Sequence, residues 1–219
     1  MKQTIVACLM LLFASALFAQ NKYVYAADLK NISEDRIRIE LVPPAIKATS
    51  IVFSFPRVIP GSYSEKSFGK YVEDFTVLDK SGKPMKIKQL NKNQYEIRDA
   101  SKIGKITYSV NDTWDTPDKD FIFQPGGSNI ESGKNVVMNN HAFFGYFEGY
   151  SKLPFEVNIT KPATFYASTH LEVERKSAEN DVLKAKDYVY LADNPVFYCQ
   201  PDTVSFEVGK TRINVSTYS

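Results

Sequence analysis

Histidine, cysteine and tryptophan are scarce in this chain of 219 residues, which holds two His, two Cys and one Trp. Each shortage removes a class of chemistry. A zinc peptidase helix needs two histidines four positions apart with a glutamate between them, because one helical face must present both imidazoles and a general base. Here His141 is followed by Ala142 and His170 by Leu171, far apart in the chain, so both read as ordinary loop or strand histidines. His170-Leu171-Glu172 copies the opening of a nucleobase-deaminase zinc motif, but that site also needs a later pair of closely spaced cysteines, and only Cys199 follows. Cys199 sits among Phe197, Tyr198 and Pro201, and apolar neighbours raise a thiol pKa instead of activating it, so it reads as structural. No serine lies in a Gly-x-Ser-x-Gly elbow, and no glycine-rich phosphate loop precedes a helix. Glu73 and Asp74 are adjacent and so fall on opposite faces of an expected strand, where they cannot act together on one bond.

A charge of one sign is also lacking: 27 Lys and Arg face 25 Asp and Glu. The basic residues are interspersed with acids, and phosphate neutralisation needs a clustered basic surface, so nucleic acid is set aside as a partner. The one long apolar run, Ile5 to Phe18, follows Lys2 and ends in small residues at Ala19, which is the layout of a cleavable secretory signal. It is shorter than the roughly 20 apolar residues that span a bilayer, so an anchor is the poorer reading. Residues 1–19 are therefore expected to be a signal peptide, with the remainder exported to the periplasm or the extracellular space and held by no membrane after cleavage. Lipidation at Cys8 is not expected, since the hydrophobic run continues past it. Cleavage removes Cys8 and leaves Cys199 as the sole thiol, which excludes an intrachain disulfide. Stability must come from burial, for which an aromatic content of 13% supplies bulky side chains.

What the chain does have is a periodicity of two. Ile37, Ile39 and Leu41 alternate with Arg36, Arg38 and Glu40, placing three apolar groups on one face of a strand. Similar short runs recur at 23–27, 50–55, 73–78, 94–97, 105–110, 155–159, 188–191, 203–208 and 212–215, separated by turn residues. Asp79 to Pro84 reads as a hairpin loop in which Gly82 is free to take positive φ. Helical signal is limited to a turn or two within Ser64 to Tyr71 and a polar stretch near Lys176 to Lys184. The segment from Thr113 to Lys134 reads as a long loop pinned by Phe121-Ile122-Phe123, and it is the best candidate for an internal boundary. The expected fold is all-β, an antiparallel sandwich or saddle of many short strands forming one domain over 20–219.

The densest aromatic cluster runs from His141 to Tyr150 and includes Phe143, Phe144, Tyr146, Phe147 and Tyr150. Its rings can fill a core or anchor a contact surface. Trp114, in the polar loop, favours contact.

Phe55-Pro56-Arg57-Val58-Ile59-Pro60-Gly61-Ser62-Tyr63, followed by Phe68-Gly69-Lys70-Tyr71-Val72-Glu73-Asp74-Phe75, resembles the Pro-Gly-Ser-Tyr region of the glycyl aminopeptidase family of zinc metallopeptidases. Asp79 to Pro84 is similar to that family's hairpin, Ile106 to Val110 to its central strand, and Asp193-Asn194-Pro195-Val196 to the end of its first domain. These are turn and strand motifs, not catalytic signatures. The resemblance implies a β-rich saddle similar to the first domain of aminopeptidase N, placed before a thermolysin-like zinc domain and commonly a PDZ domain. The sequence stops at Ser219, where that zinc domain would begin, so zinc is expected only in the catalytic domain and no catalytic or metal-ligating residue is carried over. The expected function is that of a non-catalytic domain packing against the catalytic domain of the same polypeptide and helping to shape a peptide-binding cleft. Candidate contact residues are Pro60, Gly61, Ser62, Tyr63, Trp114, Phe143, Phe144, Tyr146, Phe147 and Tyr150. The alternative is a free-standing periplasmic or surface sandwich that binds a glycan or a protein through exposed aromatics. An independent hydrolase would need a nucleophile and base that the sequence does not offer.

Overall fold

The computed structural model describes residues 21–59, 65–115, 122 and 124–219. In chain order the strands are β1 (Tyr23–Asp28), β2 (Arg36–Val42), β3 (Ser50–Ser54), β4 (Val72–Asp79), β5 (Ile87–Asn91), β6 (Gln94–Arg98), β7 (Ile103–Asn111), β8 (Asn129–Glu131) and β9 (Asn135–Met138). There follow β10 (Tyr146–Phe147), β11 (Phe155–Thr160), β12 (Tyr166–Ser168), β13 (Glu172–Arg175), β14 (Asn180–Ala185), β15 (Val196–Cys199), β16 (Asp202–Val208) and β17 (Thr211–Thr217). Two short helices, α1 (Asn140–Phe143) and α2 (Tyr188–Ala192), complete the described elements with a few 3-10 turns. None of the described helices is long and apolar enough to cross a membrane.

The strands assemble as expected for an all-β protein. Seven form the main sheet in the order β13-β14-β11-β1-β2-β7-β4. Alternation gives this sheet one apolar face, because Tyr23, Tyr25 and Ala27 of β1, Ile37, Ile39 and Leu41 of β2, and Ile106, Tyr108 and Val110 of β7 are all buried. One pair departs from the antiparallel rule, with β1 running parallel to β11 in a register that sets Tyr25 against Val157. A second sheet, β10-β3-β6-β5, covers the apolar face. The two layers meet through rings: Phe55 stands edge-on to Tyr108 at 5.3 Å, and Phe75 stacks on Tyr95 at 3.9 Å. Such pairs add about 0.5–1.5 kcal/mol each beyond the burial of their surface. A third sheet, β12-β15-β9-β8, buries Val136, Met138, Val196 and Tyr198, and β16 with β17 makes a separate two-stranded ribbon.

Between the layers runs a stretch that is neither helix nor sheet. After α1 the backbone passes through Phe144 and Gly145 before pairing as β10, and Phe143, Phe144 and Phe147 are wholly buried. Backbone polar groups placed there must find partners inside the protein. Tyrosine hydroxyls provide them: Tyr108 donates to the Phe143 carbonyl at 2.7 Å, Tyr188 to Phe144 at 3.0 Å and Tyr25 to Gly145 at 2.8 Å. The Phe147 N–H in turn donates to the Tyr23 hydroxyl at 2.9 Å. Burial pushes the pKa of Tyr25, Tyr108 and Tyr188 upward, so these phenols stay neutral donors. Gly145 is required by space, since a Cβ there would lie 2.5 Å from the Phe53 ring and 2.8 Å from the Ser54 carbonyl oxygen.

Several local expectations change in the structure. Tyr188–Ala192, whose first four residues were expected to form a strand, is helix α2, because Asp187 accepts from the Tyr190 N–H at 2.8 Å as an N-cap. The polar stretch 176–184, expected to be helical, is a turn followed by β14, and Val182 and Leu183 are both buried there. His141, expected in a loop or strand, lies in α1. The loop expected over 113–134 contains a 3-10 turn at Gln124–Gly126 and strand β8. Ser64 to Tyr71, expected to hold a helical turn, shows a 3-10 turn at Phe68–Tyr71. At Asp79 to Pro84 the hairpin is a closed turn: the Asp79 carboxylate accepts from the N–H groups of Ser81 and Lys83, and Gly82 takes φ 84°.

One charged cluster is buried beside the third sheet. The Lys161 ammonium donates to the carbonyls of Phe165 at 2.8 Å and Ala178 at 2.7 Å, and lies 3.9 Å from the Asp181 carboxylate. Asp181, on β14, is also approached by Arg175 of β13 at 3.6 Å and by the Tyr198 hydroxyl of β15 at 3.4 Å. Burial pushes the Lys161 pKa down, and the Asp181 charge opposes this.

Two measurements check these packing claims. Tyr108→Phe removes the donor to the buried Phe143 carbonyl and is expected to cost about 1–3 kcal/mol in urea unfolding, with an unchanged slope. Asp181→Ala removes the nearest counter-charge of buried Lys161 and is expected to cost about 3 kcal/mol, while combining Lys161→Met with Asp181→Leu restores most of that loss.

Candidate functional site

The polar cleft of the described residues, about 490 Å³, is lined in part by Glu34, Asp35, Lys70, Lys92, Asp112 and Asp115. Its walls come from four places, one of them the turn between β5 and β6 that carries Lys92. Glu34 and Asp35 form the turn between β1 and β2, both in the left-handed region at φ 54° and 51°. Lys70 belongs to the 3-10 turn before β4, and Asp112 and Asp115 follow the end of β7. The turn after β7 is held by Asp112, whose carboxylate accepts from the N–H groups of Trp114, Asp115 and Ile130. Burial pushes the Asp112 pKa up although these hydrogen bonds oppose it. Thr113 and Ser128 clasp the same turn: Ser128 donates its N–H to the Thr113 hydroxyl at 2.7 Å, and that hydroxyl donates to the Ser128 carbonyl at 3.1 Å. The result is a rigid turn that leaves Trp114 36% exposed beside two acids. Such a surface can bind and orient through hydrogen bonds and charge.

The contact candidates divide four ways. Pro60, Gly61, Ser62 and Tyr63 lie outside the described residues. Phe143, Phe144 and Phe147 are core, with no surface to offer. Tyr146 and Tyr150 are half-buried, and Tyr146 packs on Tyr188 of α2 with ring centroids 4.3 Å apart. Trp114 sits elsewhere, next to Gly127, where a Cβ would come within 3.4 Å of the indole. The rings of 143–147 that an open glycan-binding groove would display are thus mostly interior, which counts against the free-standing binding module.

The remaining chemical candidates have structural surroundings. His141 Nε2 lies 3.0 Å from the Gly126 carbonyl oxygen, and its ring meets Phe68 edge-on at 4.5 Å. Burial pushes its pKa down. His170 is exposed. Cys199 is fully buried in β15, and burial pushes its thiol pKa up. Among the described residues no three His, Cys, Asp or Glu side chains gather as metal ligands. Glu73, on the bulged stretch of β4, accepts from Arg36 and Asn111.

A structural pair escaped sequence reasoning. Asn140 donates through Nδ2 to the carbonyls of Leu191 at 3.1 Å and Asn194 at 2.6 Å, while Asn194 donates to Tyr190 at 2.7 Å. The Asp193-Asn194-Pro195-Val196 motif is therefore a fastening between α1 and α2. The signal in the sequence is the Asn139-Asn140 doublet that precedes the aromatic run.

Comparison with known proteins follows the same lines. The family model described as the Peptidase M61 N-terminal domain matches residues 24–200. An aminopeptidase N family protein from Idiomarina loihiensis is similar in structure, at 17% identity and a TM-score of 0.77, over 90% of this chain and 32% of its own. An M1 zinc metallopeptidase from Deinococcus radiodurans is similar at 11% identity and a TM-score of 0.47, over 90% of this chain and 46% of its own. The first likeness establishes the all-β fold, and the second carries no argument. This chain spans about a third of the first protein's length and under half of the second's. No curated protein matches it. Matched from within β1 to just past β15, the chain belongs to the Peptidase M61 N-terminal domain family.

Proposed function

We propose that this domain is the non-catalytic N-terminal part of an exported, aminopeptidase-like zinc metallopeptidase. It packs against the catalytic domain of the same polypeptide and helps to shape the cleft that receives a peptide. The observation that carries this reading is family membership over residues 24–200, joined to a fold shared with an aminopeptidase N family protein. The surroundings of the reactive groups support the non-catalytic part: His141 is engaged with the Gly126 carbonyl, and Cys199 is buried with its thiol pKa pushed up. Zinc, in this reading, is held by the catalytic domain, where it would polarise a peptide carbonyl and activate water. The PDZ domain belongs to the same expectation. Export rests on the sequence from Lys2 to Ala19, which lies outside the described residues. The turn that carries Trp114 also supplies Asp112 and Asp115 to the polar cleft, and this surface is the one put forward to meet a peptide or the neighbouring domain.

The assay is direct. Residues 20–219, purified and supplied with zinc, are expected to release no product from aminoacyl substrates, whereas the intact polypeptide with its catalytic domain turns them over. Metal-dependent turnover by the isolated domain contradicts the non-catalytic role, and a gene with no zinc-helix sequence beside it contradicts the peptidase role.

A further inference from the structure

β16 and β17 pair antiparallel from Asp202 against Thr217 to Val208 against Thr211. Paired residues share a face, so Val204 with Val215, Phe206 with Ile213, and Val208 make one side of the ribbon apolar. The other side carries Thr203, Ser205, Glu207, Arg212, Asn214 and Ser216. Glu207 lies opposite Arg212 in the register, and Ser205 donates to Asn214 at 2.7 Å, so that side is satisfied in water. The apolar side is not covered: Val204 is 58% exposed, Phe206 48% and Val208 58%. Among the described residues the ribbon joins no other strand, and its ring contact with the body is that of Tyr218 with Phe197 at 6.0 Å.

A two-stranded ribbon without a core is marginal in water, and a contiguous apolar face of this kind marks an interaction surface. Its chemistry narrows the partner. Apart from Asp202 at one end, the apolar face bears no charge, which suits neither nucleic acid nor a glycan and fits the apolar layer of another protein domain. Its position narrows it further. The family match ends at residue 200, so the ribbon lies beyond the matched N-terminal domain, and this chain corresponds to only 32% of the Idiomarina protein, the remainder being protein such a face could meet. Each strand also has a free edge able to extend a sheet.

We infer that β16–β17 is a docking ribbon whose apolar face is covered by the metallopeptidase catalytic domain. This rests on the proposed accessory role. Hydrogen exchange tests it, comparing residues 20–219 with the intact polypeptide that carries the catalytic domain. Amides of 202–217 are expected to exchange about 100-fold more slowly in the intact polypeptide, and Phe206→Glu there is expected to abolish that protection. Ser205→Glu, on the wet face, leaves it in place. In the isolated chain Phe206→Glu is expected to leave the unfolding transition where it is, which separates docking from folding. If the ribbon exchanges rapidly in both proteins while other parts of the domain become protected, the docking inference fails and the accessory role stands. If no part of the domain gains protection, both fail. Protection in the isolated chain together with a dimer in sedimentation assigns the face to a second copy and overturns the inference.

Discussion

An irregular backbone laid through an apolar core must have each of its polar groups answered there, and the segment from Phe143 to Phe147 is where this protein meets that constraint. The answer comes from outside the segment. Tyr108 and Tyr25 reach it from the main sheet, Tyr188 from α2, and Tyr23 accepts from the Phe147 N–H. A hydroxyl held in an apolar place loses more than it gains unless it is bonded, so each tyrosine and each backbone group holds the other in register. The stacked rings then have little freedom: Tyr23 lies flat on Phe155 at 4.2 Å, and Phe53 packs its edge on Phe147 at 5.1 Å. Gly145 completes the fit, because the backbone comes too near Phe53 for any side chain.

This fastening decides how the rest of the molecule can act. The rings of Phe143, Phe144 and Phe147 are spent inside, and the aromatic surface that remains includes Trp114 of the turn after β7, Tyr166 and Phe206, with Tyr146 and Tyr150 half-buried. The turn is stiff because Asp112 caps three N–H groups and Thr113 clasps Ser128. A domain whose described rings are mostly interior suits a wall beside someone else's chemistry. That is the role proposed for it, and it agrees with membership of a peptidase N-terminal domain family.

How much of this was legible in the sequence depended on how local the cause was. β2 reads directly, since Ile37, Ile39 and Leu41 alternate with charged residues between core and water. The Asp79 turn reads for the same reason, being settled by its own side chains and by Gly82. Tyr188 to Leu191 does not, because a short apolar run suits strand or helix equally and the cap at Asp187 decided the matter. β14 buries three consecutive residues, Asp181, Val182 and Leu183, and so lacks the alternation that would have announced it. The cluster from Phe143 to Tyr150 stayed open between core and surface, since the tyrosines that bury it lie up to 124 positions away. Pro60 to Tyr63 fall outside the described residues.

The central claim is that the latched segment opens only when the whole domain does. The Phe147 amide reports on it, because it donates to the Tyr23 hydroxyl. Native-state hydrogen exchange at that amide is expected to follow the global unfolding free energy, rising and falling with denaturant as β1 and β7 do. Exchange at Phe147 that is fast and insensitive to denaturant, while β1 and β7 remain protected, would show a segment that opens on its own and would contradict the account.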